Sequence, residues 1–213
     1  MSDAPHLTPL REMQLLEAHR AGDQEATAEL LGSYQRRIYS ICYRMLHNTD
    51  AAFDLTQDTM VRVLEGLDSY NGKSKLSTWV IRVAMNCCLS HLRREKIRQH
   101  QSIDAPAERA GQDAAPTLAG RIPDDSGEPE PAERIERTEE QDLVKTALRV
   151  IDPQMRAILV LRDIQGLEYQ QISDVVDVPV GTVKSRLFRA RAALREAVEN
   201  EQIRRETERE QSA

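Results

Sequence analysis

The chain has 213 residues, 40% of them hydrophobic, 30% charged and only 4% aromatic, with a formal net charge of −6. That length allows one or two ordinary domains, and so few aromatics suit small helical cores better than a large β-sandwich. No apolar run approaches the roughly 20 residues that span a bilayer, and the start, MSDAPHLTPLRE, has no basic stretch leading into an apolar one, so neither membrane insertion nor a signal peptide is expected and the location expected is cytoplasmic.

Apolar residues at helical spacing predict helices over 9–20 and 23–47, broken at Ala21-Gly22-Asp23. A third is predicted after Asn48-Thr49-Asp50, running to Leu67, with Phe53, Met60, Val63, Leu64 and Leu67 on its core face. Asp54, Asp58 and Glu65 stack on the opposite face, with Val61 among them and Leu55 at the margin. An acidic face carrying exposed aliphatics is poorly suited to DNA and suits a basic protein partner; the alternative is a face that is merely solvated.

A turn-rich loop, Ser69-Tyr70-Asn71-Gly72-Lys73, comes next. Ser77 or Thr78 is the expected cap of a long helix running to about Arg98. Val80, Ile81, Ala84, Cys88 and Leu92 fall on one side of it, widened by Met85 and Leu89; Trp79, Arg82, Asn86, Ser90 and Arg93 fall on the other. Residues 73–98 hold seven Lys or Arg against one Glu, a local charge of +6. Cationic groups attract phosphates and planar groups stack on unpaired bases, so this face, with Lys73 and Lys75 before it, is a candidate single-strand surface. Trp79 packing inward is the open alternative. His91 stands one turn past Cys87, but no second pair completes a zinc pattern, so Cys42, Cys87 and Cys88 read as small packing residues and no metal is expected.

Residues 101–138 carry five of the nine prolines and few apolar residues, and the charge over 101–140 is −7. This reads as a flexible acidic linker that cannot bury enough surface to offset its chain entropy. It separates an N-terminal part, 8–100, from a C-terminal part, 139–200. The second part predicts helices over 139–150, 153–164, 168–176 and 180–200, with Pro153 and Pro179 at first-turn positions and Gly166 as a stop. With no alternating strand pattern anywhere, the fold class is all-α: two small helical domains.

The turn Asp177-Val178-Pro179 between the last two helices makes a helix-turn-helix. On the second of them, Val183, Leu187, Ala190, Leu194 and Val198 form an apolar stripe. Thr182, Ser185 and Arg189 lie opposite, with Arg186 beside them; Lys184, Arg191 and Arg195 form a flank, with Phe188 nearby. Short Ser and Thr side chains let a helix sink into the major groove, and a guanidinium matches the paired acceptors of guanine. The flank suits phosphates, which hold register without reading sequence. A plain solvated basic helix is the alternative reading. The charged tail, 201–213, is expected to be disordered. The chain shows no glycine-rich phosphate loop and no credible nucleophile–base pairing, so neither enzymatic activity nor a cofactor is expected.

Three stretches together resemble the bacterial RNA polymerase sigma factors of the compact extracytoplasmic-function (ECF, group IV) class. DLTQDTMVRVLEGL resembles the polymerase-binding segment, STWVIRVAMNCCLSHLRRE the promoter-melting helix, and LRVIDPQMRAILVLRDIQGLEYQQISDVVDVPVGTVKSRLFRARAALREA the upstream-element reader. The resemblance implies sigma region 2 over 8–100 and sigma region 4 over 139–200. It implies that Asp54, Leu55, Gln57, Asp58 and Val61 bind the clamp coiled coil of the largest polymerase subunit. Lys73, Lys75, Trp79, Arg82, Asn86, Ser90, Arg93 and Arg94 would then capture the unpaired strand of the minus-ten element. Thr182, Lys184, Ser185, Arg186, Phe188, Arg189 and Arg191 would hold and read the minus-thirty-five duplex. The acidic linker would thread the polymerase's basic RNA-exit region, and an anti-sigma partner is implied. Leu76 stands where the family often has Phe, and Ser90 where it often has Asp. The alternatives are a conventional helix-turn-helix regulator with a sensory or dimerising N-terminal domain, and a protein-binding adaptor. The acidic helix followed by the Trp/Asn/Arg helix speaks against the first; the two basic faces speak against the second.

Overall fold

The computed structural model describes residues 7–103 and 142–211, and every regular element among the described residues is helical. The predicted linker lies outside them beyond Ile103. The first three helices start on a short polar side chain that accepts a free amide of the first turn. Thr8 Oγ1 accepts from Arg11 N before α1 (Pro9–Arg20), Asp23 Oδ1 from Ala26 N before α2 (Gln24–Leu46), and Asn48 Oδ1 from Ala51 N before α3 (Thr49–Leu67). Gly22, at φ +88°, turns the chain between α1 and α2. The long helix α4 (Leu76–Ile103) begins ahead of the expected Ser77 or Thr78 cap. Leu76 is buried in the core and Trp79 N bonds to Lys75 O at 3.0 Å, which draws the first turn forward.

α2 is the central element, with Leu30, Ile38, Ile41, Cys42 and Met45 buried among α1, α3 and α4. The predicted core face of α3 is rotated. Ala52, Leu55, Thr56, Thr59, Val63 and Leu67 point inward, whereas Phe53 is 52% and Leu64 40% exposed. The Thr56 and Thr59 hydroxyls donate to the carbonyls of Ala52 and Leu55 at 2.6 and 2.7 Å, so both threonines enter the core with their polar groups satisfied. Reading the face from bulky residues alone misses this.

The second unit begins with α5 (142–150). α6 (Pro153–Leu159) has Pro153 in its first turn and is capped by Asp152, whose carboxylate accepts from Gln154 N and Met155 N. The predicted continuous helix over 153–164 instead widens to a π-helical turn over Val160–Ile164, in which Gln165 N reaches Val160 O at 2.9 Å. Gly166, at φ +67°, ends it. α7 (Tyr169–Val176) and α8 (Val180–Gln211) form the helix-turn-helix. α8 stays helical through 201–211, where a disordered tail was expected. Glu201 accepts from Arg204 at 2.7 Å and Arg205 at 3.0 Å, a local pairing that supports the extension.

The linker composition leads one to expect two units that move freely. In the structure they are docked, with α7 on α4 and α6 against α2. Arg37 Nε donates to Gln165 Oε1 at 2.8 Å, and Arg149 Nη2 to His47 O at 2.9 Å. Arg156, only 5% exposed, donates to Met45 O at the end of α2, and to Arg149 O at 2.8 Å and Ile151 O at 3.1 Å at the end of α5. One guanidinium thus covers the orphan carbonyls and negative dipole ends of two helices. Beside it, His47 terminates α2 at φ 52°. Burial, then the charges of Arg156 and Arg149, push its pKa down to about 4, so the ring is neutral at pH 7.

Candidate nucleic-acid and protein-binding surfaces

Asp54, Gln57, Asp58 and Val61 lie on the exposed side of α3, as the sequence predicts. Leu55 does not: it is 3% exposed and belongs to the core, because the helix is turned by the buried threonines. Phe53 and Leu64, read from the sequence as core, join the surface instead. At 100° per residue, Phe53, Leu64, Gln57, Val61, Asp54, Glu65 and Asp58 cover an arc of about 140°. That arc runs from apolar to acidic, the character expected of a surface for a protein with a basic rim.

On α4, Arg82, Asn86, Ser90 and Arg93 repeat at helical spacing along one exposed strip, with Arg94 exposed beside it. Lys73 and Lys75 stand exposed in the preceding loop. Trp79 is half-buried. It lies against Gly66 of α3 and tilts on Tyr70, ring centroids 5.6 Å apart. Tyr70 Oη donates to Ser74 O at 2.5 Å and Arg20 Nη2 donates to Tyr70 O at 2.7 Å, so the loop is braced from two sides. Leu76, at the position where the family often has Phe, is a buried anchor for the start of α4.

A Cβ at position 66 would lie 2.8 Å from Trp79 Cζ2, inside van der Waals contact. Helix propensity alone makes Gly66→Ala stabilising by up to about 1 kcal/mol. Overpacking reverses the sign, with an expected net loss of about 1–2 kcal/mol. Because Trp79 is the only tryptophan, its emission should shift at the same time. A gain in stability with unchanged emission would contradict this packing.

In the second unit Asp177, left-handed at φ 53°, ends α7, and Ser173 Oγ donates to Val178 O at 2.6 Å across the turn. This aims the first turns of α8 outward. Lys184, Ser185, Phe188 and Arg189 are exposed, Phe188 to 77%; Thr182 and Arg186 are half-buried. Arg189 Nε reaches Ser185 O at 3.4 Å and holds the side chain along the exposed face. Arg191, expected on the flank suited to phosphates, has an ion-pair partner within the chain. Its guanidinium pairs with Asp163, which lies in the π-helical turn, through Nη2–Oδ1 at 2.5 Å and Nε–Oδ2 at 3.3 Å. Sequence reading missed Tyr169, whose ring lies under Arg162 at 4.9 Å and Lys184 at 5.6 Å. Only the fold brings those three together, so their spacing in the chain carries no signal.

The docked units enclose an open cleft of about 550 Å³. Lys73, Trp79 and Arg82 line one side, and Ser173, Asp174 and Asp177 the other. Beside the cleft, Gln171 Nε2 donates to Thr78 Oγ1, a lining residue, at 3.4 Å.

Comparison with known proteins identifies both units. The family Sigma-70 region 2 matches residues 30–97, and Sigma-70, region 4 matches residues 141–194. The chain is 34% identical to the ECF RNA polymerase sigma factor SigW of Bacillus subtilis over 83% of this chain and 90% of that protein. It is 33% identical to the RNA polymerase sigma-H factor of Pseudomonas aeruginosa (91% and 96% covered) and 30% identical to the ECF RNA polymerase sigma-E factor of Escherichia coli K12 (87% and 93%). Among solved structures, the sigma factor RpoE of Bartonella quintana, crystallised with the anti-sigma factor NepR, aligns at a TM-score of 0.58 and 21% identity, covering 83% of this chain and 97% of that one. CnrH, solved with the cytosolic domain of CnrY, aligns at 0.58 and 19%, covering 93% and 99%. These last two show the shared fold.

Proposed function

The chain belongs to the ECF class of bacterial RNA polymerase sigma factors and directs promoter-specific transcription initiation, and from that premise we propose how its helical units divide the task. Residues 8–100 form region 2, binding core polymerase and opening the minus-ten element; residues 139–200 form region 4, holding the minus-thirty-five duplex. The observation that supports this division is the chemistry of three exposed helix faces. The α3 arc is apolar-to-acidic, the α4 strip is amide and guanidinium, and the first turns of α8 are hydroxyl and guanidinium.

Phe53, Asp54, Gln57, Asp58, Val61 and Leu64 meet the clamp coiled coil of the largest polymerase subunit. Asn86, Ser90, Arg82, Arg93 and Arg94, with Lys73 and Lys75, hold the unpaired strand, and Trp79 supports that surface from behind. Ser185 and Arg189 face the bases; Lys184 and Arg195 face phosphates. The protein works by binding and positioning, without catalysis of its own, and acts in the cytoplasm. Elements centred near minus ten and minus thirty-five, about 25 base pairs apart, are separated by about 85 Å along B-DNA. The docked units are in contact, so promoter engagement requires them to part. Residues 104–141, fully extended, can span about 125 Å, which is sufficient. Because relatives of this fold are solved with anti-sigma partners, an anti-sigma factor holding this chain inactive is proposed as well.

Asp58→Arg reverses charge in the middle of the acidic arc. It should weaken binding to core polymerase about tenfold or more at low salt, and leave duplex binding by the α8 surface unchanged. Core affinity equal to wild type would remove the α3 arc from the interface.

A further inference from the structure

The three cysteines are not equivalent. Cys42 of α2 and Cys88 of α4 are fully buried, with Sγ atoms 3.8 Å apart. Cys87, 2% exposed, turns elsewhere and accepts from Arg62 Nη1 at 2.9 Å. A disulfide requires about 2.05 Å between sulfurs, so the two must close from van der Waals contact. We propose that Cys42 and Cys88 are a disulfide-forming pair, closed by a small two-electron oxidant of the peroxide class into a staple between α2 and α4.

The chemistry balances with hydrogen peroxide. The Cys42 sulfur attacks one peroxide oxygen; the S–O bond forms, the O–O bond breaks, and the departing oxygen leaves as water with the thiol proton. Cys88 then attacks the sulfenic sulfur of Cys42; the S–S bond forms, the S–O bond breaks, and a second water leaves with the Cys88 proton. Two thiols lose two electrons and one peroxide becomes two waters. The two sulfurs are interchangeable in these steps; in the closed fold the Cys88 S–H lies against the Cys42 sulfur. That hydrogen bond lowers the Cys42 pKa and raises that of Cys88. Both sulfurs are inaccessible in the closed fold, so reaction proceeds through local openings and is slow.

Two residues apart on α4, Cys88 and Asn86 point in opposite directions. The staple therefore forms behind the strand-binding strip, leaves it exposed, and closes a long loop in the chain between α2 and α4. Its effect is greater stability of the first unit under oxidative load, with promoter-directed transcription kept within about twofold.

The test uses the full chain treated with hydrogen peroxide, then non-reducing proteolysis and mass spectrometry. Expected is a loss of about 2 Da, a peptide cross-link between Cys42 and Cys88, and a Tm raised by about 10 °C that dithiothreitol reverses. Cross-linking should accelerate in sub-denaturing urea. Cys87→Ser should keep every one of these responses, and it leaves the buried pair untouched. Cys42→Ala should lose the cross-link. Failure of a folded Cys87→Ser variant to cross-link, a cross-link that involves Cys87, or oxidation that stops at sulfinic acid would each overturn the proposal.

Discussion

Arg156→Ala should cost about 3 kcal/mol of stability, the largest loss expected from any single polar side chain in the described residues. The guanidinium is 5% exposed and serves the carbonyls of Met45, Arg149 and Ile151. Truncation leaves three acceptors at two helix ends without this donor; the two buried ones, Met45 O and Ile151 O, each cost about 1–3 kcal/mol before relaxation or water entry. Arg156→Lys keeps the charge but not the fork, so its single ammonium reaches fewer of the three carbonyls and the loss should be intermediate. Because Met45 lies in the first unit and Arg156 in the second, the alanine variant should also undock them. Small-angle scattering should show a larger radius of gyration. Denaturation showing less than 1 kcal/mol of loss, with an unchanged radius, would mean that the guanidinium does not hold this junction.

Arg189→Ala should weaken binding of a minus-thirty-five duplex by about 1–3 kcal/mol, roughly 5- to 150-fold, and relax preference at one base pair. Arg189 is exposed, lies on the same face as Ser185, and packs no core residue. The informative contrast is Arg195→Ala. A phosphate contact of that kind loses affinity uniformly across sequences and lowers the salt slope by about one. Arg191→Ala should change the salt slope less, since Asp163 already takes its charge. Fluorescence anisotropy across salt concentrations and single-base variants separates the three. Unchanged affinity and base preference in Arg189→Ala would take this residue out of the readout.

Most helices are legible in the sequence because their signals are local. Thr8, Asp23, Asn48 and Asp152 cap where short polar residues precede apolar spacing, and Gly22 and Gly166 stop or turn the chain. Errors arise where a residue's fate depends on what it meets. Thr56 and Thr59 look polar, yet their hydroxyls bond back to their own helix and they enter the core. That rotation buries Leu55 and exposes Phe53 and Leu64. The extension of α8 through 201–211 follows from pairs such as Glu201–Arg205 and Arg204–Glu208, a pattern that charge composition alone does not distinguish from a solvated tail. Arg156 gives no sign in PQMRAILVL, because the carbonyls it serves come from the ends of α2 and α5. The Asp163–Arg191 pair likewise joins residues 28 positions apart, so spacing in the chain gives no sign of it. By contrast, the exposure of Arg82, Asn86, Ser90 and Arg93 on α4 and of Ser185 and Arg189 on α8 follows from helical spacing, since the apolar residues of each helix fix the opposite face, whereas Trp79 on the same wheel face of α4 is half-buried against Gly66.

Transcription reconstituted from purified bacterial core polymerase, this chain and a library of promoter fragments is the most direct measurement. Initiation should depend on the added chain and select fragments that share an upstream duplex element and a downstream melted element. Asp58→Arg should reduce it through core binding, and Arg189→Ala should change which upstream elements are selected. Absence of promoter-selective initiation, together with no detectable binding to core polymerase, would contradict the sigma-factor function.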